Sequence, residues 1–206
     1  MPRDPLELAR RWERLDRLRE RLEALHPDAR SAVFGEGDPL ASLALVGEAP
    51  GAEEEIAGRP FVGPAGHLLS RLLSEVTLKR ESLWITNTVK RRPTREVANH
   101  LRNRAPTRAE IQTDLPILLA ELEAIRPRAV VCLGNQAANA LIHREFRMRE
   151  EHGRWFSHPL GFQITATYHP AFLLRRQGAD RTELEEAVRQ DLAAAKAMAE
   201  GDQGSG

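Results

Sequence analysis

The side chains of this 206-residue chain best suited to chemistry cluster in a few short stretches, each following an apolar run. Gly47-Glu-Ala-Pro-Gly51 leads into Glu53-Glu-Glu55 and then Gly58-Arg-Pro-Phe-Val-Gly-Pro-Ala-Gly66. Asn87-Thr-Val-Lys90 and His169-Pro-Ala171 complete the set, while Gly134-Asn135 reads as an ordinary turn. Asn87 offers a carbonyl acceptor beside an amide donor, the complement of a base's imide edge. Phe61, between Pro60 and Val62, can stack on a planar ring. His169 can donate a hydrogen bond to charge developing on a leaving group. Glu48 or Glu54 can orient water or support a cationic sugar. Neither GxxxxGK[ST] nor GxGxxG occurs, so the usual phosphate-cradling loops have no support. Together these are the parts needed to hold an unstacked nucleobase and cut its glycosidic bond.

Those residues need a frame that brings strand ends together. Apolar positions 8, 12, 15, 18, 22 and 25 predict an amphipathic helix over 5–25. Gly35-Glu-Gly-Asp-Pro39 reads as a turn. Strands are predicted at 43–46, 83–86, 129–133 and 162–168. Helices are predicted at 64–76, at 107–125 behind a Thr107–Glu110 capping box with Pro116 inside, at 136–142, and from a Thr182 cap to about Ala199. Alternating strands and helices imply a three-layer α/β/α sandwich on a four-stranded parallel sheet. One domain over 1–200 is expected, with 201–206 a disordered tail. Ligands of such folds bind at the carboxyl ends of the strands.

Thirty basic residues balance thirty acidic ones, which argues against coating nucleic acid by bulk charge. The stretch from Lys90 to Arg108 is different. Lys90, Arg91, Arg92, Arg95, Arg102, Arg104 and Arg108 face one acid, Glu96, a net +6 in nineteen residues. Such polarity suits a surface that tracks phosphates. One cysteine, Cys132, excludes an internal disulfide or a site of several thiolates, and seven scattered histidines offer no metal spacing. No apolar run spans a membrane and the N-terminus is charged and helical, so a cytoplasmic monomer without metal or cofactor is expected.

The segments GEAPG (47–51), GRPFVGPAGHLL (58–69), ITNTVK (85–90), NRAPT (103–107) and TYHPAFLLR (167–175) resemble, in order and spacing, the uracil-DNA glycosylase superfamily. The pattern is most similar to its family 4, from about Val33 to Asp191. The resemblance implies a monofunctional enzyme that flips uracil out of single- or double-stranded DNA and hydrolyses its N-glycosidic bond in base excision repair. By matching positions, Phe61 stacks on uracil, Asn87 reads its edge, His169 stabilises the uracil anion and Glu48 lies beside the attacking water. Glu54 supports the pocket, and Ala49 stands where some families carry a catalytic Asp or Asn. Leu173 or Leu174 is expected to wedge into the base stack, Arg175 to hold backbone, and Lys90, Arg91, Arg92, Arg102 and Arg104 to face DNA.

The chain departs from family 4 where that family carries an iron–sulfur cluster on four cysteines. Those positions fall near Arg21 and Ala24, at Arg91 and at Asp114, so no cluster is expected, and Arg91 is expected to pair with Asp114. The basic loop is longer by roughly seven residues. One branch of the superfamily uses a histidine in such a loop to bond covalently to deoxyribose. His100 therefore carries the alternative reading, a DNA-binding relative with weak or no excision that traps uracil-DNA. That branch places its histidine three residues before the proline, where this chain has Asn103.

Overall fold

A computed structural model describes residues 4–27 and 32–201. Residues 202–206 of the expected tail lie outside them. Helix α1 (Pro5–Leu25) is capped by Asp4, whose carboxylate accepts the Leu6 N–H at 2.9 Å. It buries Leu15 and Leu22, whereas Trp12 and Leu25 of its predicted stripe remain exposed. The short strand β1 (Glu36–Gly37) precedes β2 (Leu43–Gly47), α2 (Ala52–Ala57), α3 (Pro64–Glu75) and β3 (Trp84–Asn87). A hairpin of β4 (Thr94–Val97) and β5 (His100–Asn103) follows, then α4 (Arg108–Ile125), β6 (Ala129–Leu133) and α5 (Asn135–Leu141). The chain closes with α6 (Met148–Glu151), β7 (Phe156–Ser157), β8 (Gln163–Thr167), α7 (Pro170–Leu173) and α8 (Gly178–Glu200).

The main sheet has six strands in the order β1-β3-β2-β6-β8-β7. The four predicted strands form its parallel centre, and β1 and β7 add antiparallel edges. The sheet is therefore mixed, not four parallel strands. Two-residue edges show no periodicity in sequence, and β1 lies inside the stretch expected to be a turn.

Strand alternation divides the core. Ala44, Val46, Val130, Cys132, Ile164 and Ala166 pack with α1, α4 and α5. Leu43, Leu45, Ile85, Val131 and Leu133 pack with α3, α7 and α8. Helix α4 is opened by the predicted capping box, with Thr107 Oγ1 accepting the Glu110 N–H, and it runs through Pro116. Helix α8 begins a turn earlier than expected. Thr182 is interior to it, its hydroxyl donating to the Gly178 carbonyl at 3.3 Å, so it caps nothing.

The β4–β5 hairpin replaces an expected loop. Ala98 and Asn99 form its turn with φ of 49° and 61°, the left-handed pair a tight two-residue hairpin needs. Ala-Asn is not the usual Asn-Gly signature, and neither strand alternates apolar with polar.

Candidate active site

Strands β2, β3 and β8 run parallel, so Gly47, Asn87 and Thr167 deliver their loops to one rim of the sheet. A cleft of about 700 Å³ opens there, bordered by Glu48, Ala49, Glu54, Phe61, Asn87 and His169, with Arg104, Leu174 and Arg175 at its edge. Nine of the fifteen predicted site residues are thus brought to one place.

Asn87 is buried, and its Oδ1 has no hydrogen-bond partner among the described residues. Arg80, Trp84 and Thr165 also carry an unpaired buried polar atom, but of these only Asn87 borders the cleft. An orphan acceptor costs about 1–3 kcal/mol unless a ligand answers it. Gly47 lies opposite Asn87 in the sheet register. A Cβ on Gly47 would overlap both Asn87 Oδ1 and the Phe61 ring, so only glycine lets them stand side by side.

Phe61 adopts a left-handed backbone, φ 52°, a conformation rare for a bulky residue and found where surroundings enforce it. Glu54 does the enforcing. Its buried carboxylate accepts the N–H groups of Gly51 at 3.1 Å, Val62 at 3.0 Å and Gly63 at 2.9 Å. This carboxylate ties the two loops of the cleft together. Phe61 also packs into the core, and its ring centroid lies 5.7 Å from that of His169 with a 31° tilt.

His169 caps α7, its Nδ1 accepting the Ala171 N–H at 3.0 Å. The ring proton therefore resides on Nε2, as a donor. Burial lowers the imidazole pKa to about 4, Arg175 lowering it further and Glu54 opposing, so the ring is neutral near pH 7. Glu48 is half-buried, and desolvation raises its carboxyl above the ordinary value while Arg175 pulls it back. Ala49 brings only a methyl group to the wall.

Residues 34–193 match the family model described as the uracil DNA glycosylase superfamily. The chain belongs to that superfamily. It is 38% identical over 159 residues to a type-4 uracil-DNA glycosylase of Pyrobaculum aerophilum, covering 74% of this chain and 78% of the relative. It is also 36% identical over 175 residues to a type-4 uracil-DNA glycosylase of Thermotoga maritima, covering 84% and 86%. A relative of that name from Archaeoglobus fulgidus is 38% identical over 162 residues, covering 74% and 76%.

Several of the residues expected to meet DNA change role. Lys90 is wholly buried, its Nζ donating to Glu121 at 3.0 Å and to Thr86 at 2.7 Å. It faces the core and cannot meet DNA. Leu173 is likewise buried, in the core with α3 and α8, which leaves Leu174, 39% exposed and bordering the cleft, as the wedge candidate. Arg92 pairs with Glu55 at 3.2 Å and donates to Asn103 Oδ1 at 2.7 Å. Arg104 grips Glu110 with both amino groups, at 2.7 and 2.8 Å, and that bond brings the Glu110 carboxyl down to about 2. Arg91 and Arg102 are exposed.

His100 is exposed at the turn end of the hairpin and does not border the cleft. Asn103 borders it instead, and an amide is not a nucleophile. Asn103, Pro93 and Ala105 at the hairpin base and Phe172 of α7 are lining residues absent from the predicted site. Asn103 lies inside the NRAPT motif and at the position where the covalent branch carries its histidine, the two signals that pointed to it.

The positions implied for a cluster do not fit one. Arg21, Ala24 and Arg91 are exposed, and none bears a thiol. Asp114 is buried with both oxygens engaged, Oδ1 by His26 Nε2 at 2.5 Å and Oδ2 by the Lys90 N–H at 2.7 Å. Its expected partner Arg91 is not among these contacts. Cys132 is buried in β6, and desolvation pushes its thiol pKa up.

Proposed function

We propose that this chain is a monofunctional uracil-DNA glycosylase that excises uracil by flipping the nucleotide into the cleft and hydrolysing its N-glycosidic bond. The observation that carries the reading is the orphan Oδ1 of Asn87, in the same cleft as a neutral imidazole donor. Uracil presents an imide N–H between two carbonyls, so Oδ1 accepts that N–H while the Asn87 amide donates to a neighbouring carbonyl. Cytosine presents a lone pair where uracil carries its N–H and is refused. Phe61 stacks on the ring.

As the bond to the sugar breaks, negative charge gathers on the base. His169 meets it with the Nε2–H, and because the ring stays neutral the donor is fixed before the reaction. Glu48, which also lines the cleft, supports the oxocarbenium-like sugar and orients the water that completes hydrolysis. Leu174 fills the gap left in the base stack, and Arg175 holds backbone beside the flipped nucleotide. No step calls on a metal or cluster. Among the described residues no helix is long and apolar enough to cross a membrane.

The test is incubation with single- and double-stranded oligonucleotides bearing one uracil, followed by alkali cleavage. Breaks at uracil and none at cytosine are expected, with no denaturant-resistant protein–DNA band. Asn87→Ala and His169→Ala each lower kcat by about 10²–10³, the loss typical of one such donor. Wild-type rates in both variants would discard the site.

A further inference from the structure

The hairpin holds two classes of arginine. Arg92 and Arg104 anchor its base, and their charge is spent on Glu55 and Glu110. Arg95 and Arg102 are directly opposed across the β4–β5 ladder, both exposed, and neither makes a hydrogen bond or ion pair among the described residues. Like charges opposed on one rung destabilise a ladder, and a two-stranded ribbon has little stability to lose. Pairing puts Val97 and His100 on the same face, one step toward the turn, and Glu96 with Leu101 on the other. One face therefore carries two arginines and a histidine with no acid.

Two guanidinium forks held side by side are complemented by a single bridging oxyanion. Asn103, next to Arg102 in β5, points from the opposite face, where it borders the cleft and is gripped by Arg92. The Arg95–Arg102 face thus looks away from the cleft. From Asn103 to the turn the ribbon reaches about 10 Å, roughly three base-pair steps of duplex.

We propose that the β4–β5 hairpin is a remote phosphate clamp, in which Arg95 and Arg102, flanked by His100, grip a DNA phosphodiester outside the excised nucleotide. The clamp rests on the reading of this chain as acting on DNA and adds a second point of hold, which sets affinity and leaves chemistry alone. It also explains why a repulsive rung persists in the free protein.

The experiment compares wild type with Arg95→Thr/Arg102→Thr on a duplex of about 30 base pairs with one uracil and on a uracil-centred trinucleotide. On the duplex the variant loses about ten-fold in kcat/KM, through KM, with kcat within about two-fold of wild type. The log–log salt slope becomes shallower by about 1. On the trinucleotide the two proteins are equal, and the variant's Tm is unchanged or higher because the repulsion is gone. Arg95→Lys/Arg102→Lys keeps most of the slope. Equal losses on both substrates, an unchanged slope, or a fall in Tm that accounts for the loss would overturn the clamp. If the wild type excises nothing, anisotropy with uracil-free duplex still decides the matter. A slope difference keeps the clamp while the excision reading falls, and identical slopes remove it.

Discussion

Asn87 and Lys90 leave the same strand three residues apart, and the protein treats them in opposite ways. Lys90 has every polar group answered. Its ammonium meets Thr86 and both oxygens of Glu121, its N–H meets Asp114, and its carbonyl accepts the Val33 N–H at 2.7 Å. Asp114 in turn is held by His26 at the end of α1. Asn87 is almost as deeply buried and borders the cleft, yet its acceptor has no partner among the described residues. A closed network marks a structural residue, and an unpaired group at the border of a cleft marks one placed for a ligand. The first makes the second affordable: Lys90 pins the strand exit from below, so Asn87 keeps its position without a bond of its own.

The largest effect should come from opening the closed network. Lys90→Met leaves Glu121 as a lone buried carboxylate and should cost about 3–5 kcal/mol in denaturant titration. Lys90→Met/Glu121→Leu removes both charges and should recover most of that loss. Asn87→Ala should leave stability level or slightly raised, because it deletes an unpaired acceptor. If Asn87→Ala destabilised as much as Lys90→Met, the distinction between the two sites would fail.

A smaller effect should follow from crowding the open site. Gly47→Ala drives a methyl group against Asn87 and Phe61, and such overpacking costs about 1–3 kcal/mol. If the cleft is poised as argued, kcat/KM should fall by more than the change in stability explains. A variant that melts lower yet excises uracil at the wild-type rate would show that the neighbours relax freely.

Most of this arrangement was legible in the sequence because strand ends in a parallel sheet converge whatever the details of the loops. The four central strands, the capping box at Thr107 and the positions of Glu48, Phe61, Asn87 and His169 all follow from short apolar runs and the residues that end them. Burial of individual polar residues was not legible. Lys90 reads as one more charge in a basic run, and only tertiary packing reveals that Glu121, thirty-one positions away, lies beneath it. Leu173 and Leu174 are indistinguishable in type, and the helical rotation between them decides which is core and which meets the cleft. The hairpin escaped notice because its strands are polar on both faces and its turn is Ala98-Asn99. Free arginines and spent ones also look alike until their acids are placed. The +6 run therefore overstated the charge that can reach DNA.

The smallest effect concerns Glu48, the titratable counterpart of the open amide. Burial raises its carboxyl pKa, so the folded protein holds this proton more tightly than the unfolded chain does. Stability should then fall as pH rises from the ordinary value of 4.5 through the folded pKa, and above that the full cost of the buried charge is present. Glu48→Gln removes this cost, so the variant should be the more stable protein at pH 7 and should converge on wild type below pH 4.5. Its activity should move the other way. Water adds to a sugar cation already formed, so the loss in kcat should be about ten-fold, below the usual range for a general base. Wild-type kcat/KM should decline on the acid side as Glu48 takes up its proton, at a pH above 4.5, whereas His169 stays neutral down to about 4 and does not set that limb. Stability and pH–rate profiles of the two proteins check both halves together. A Glu48→Gln variant that kept the acid limb would assign it to another group, and one less stable at pH 7 would place Glu48 with the closed network rather than the open site.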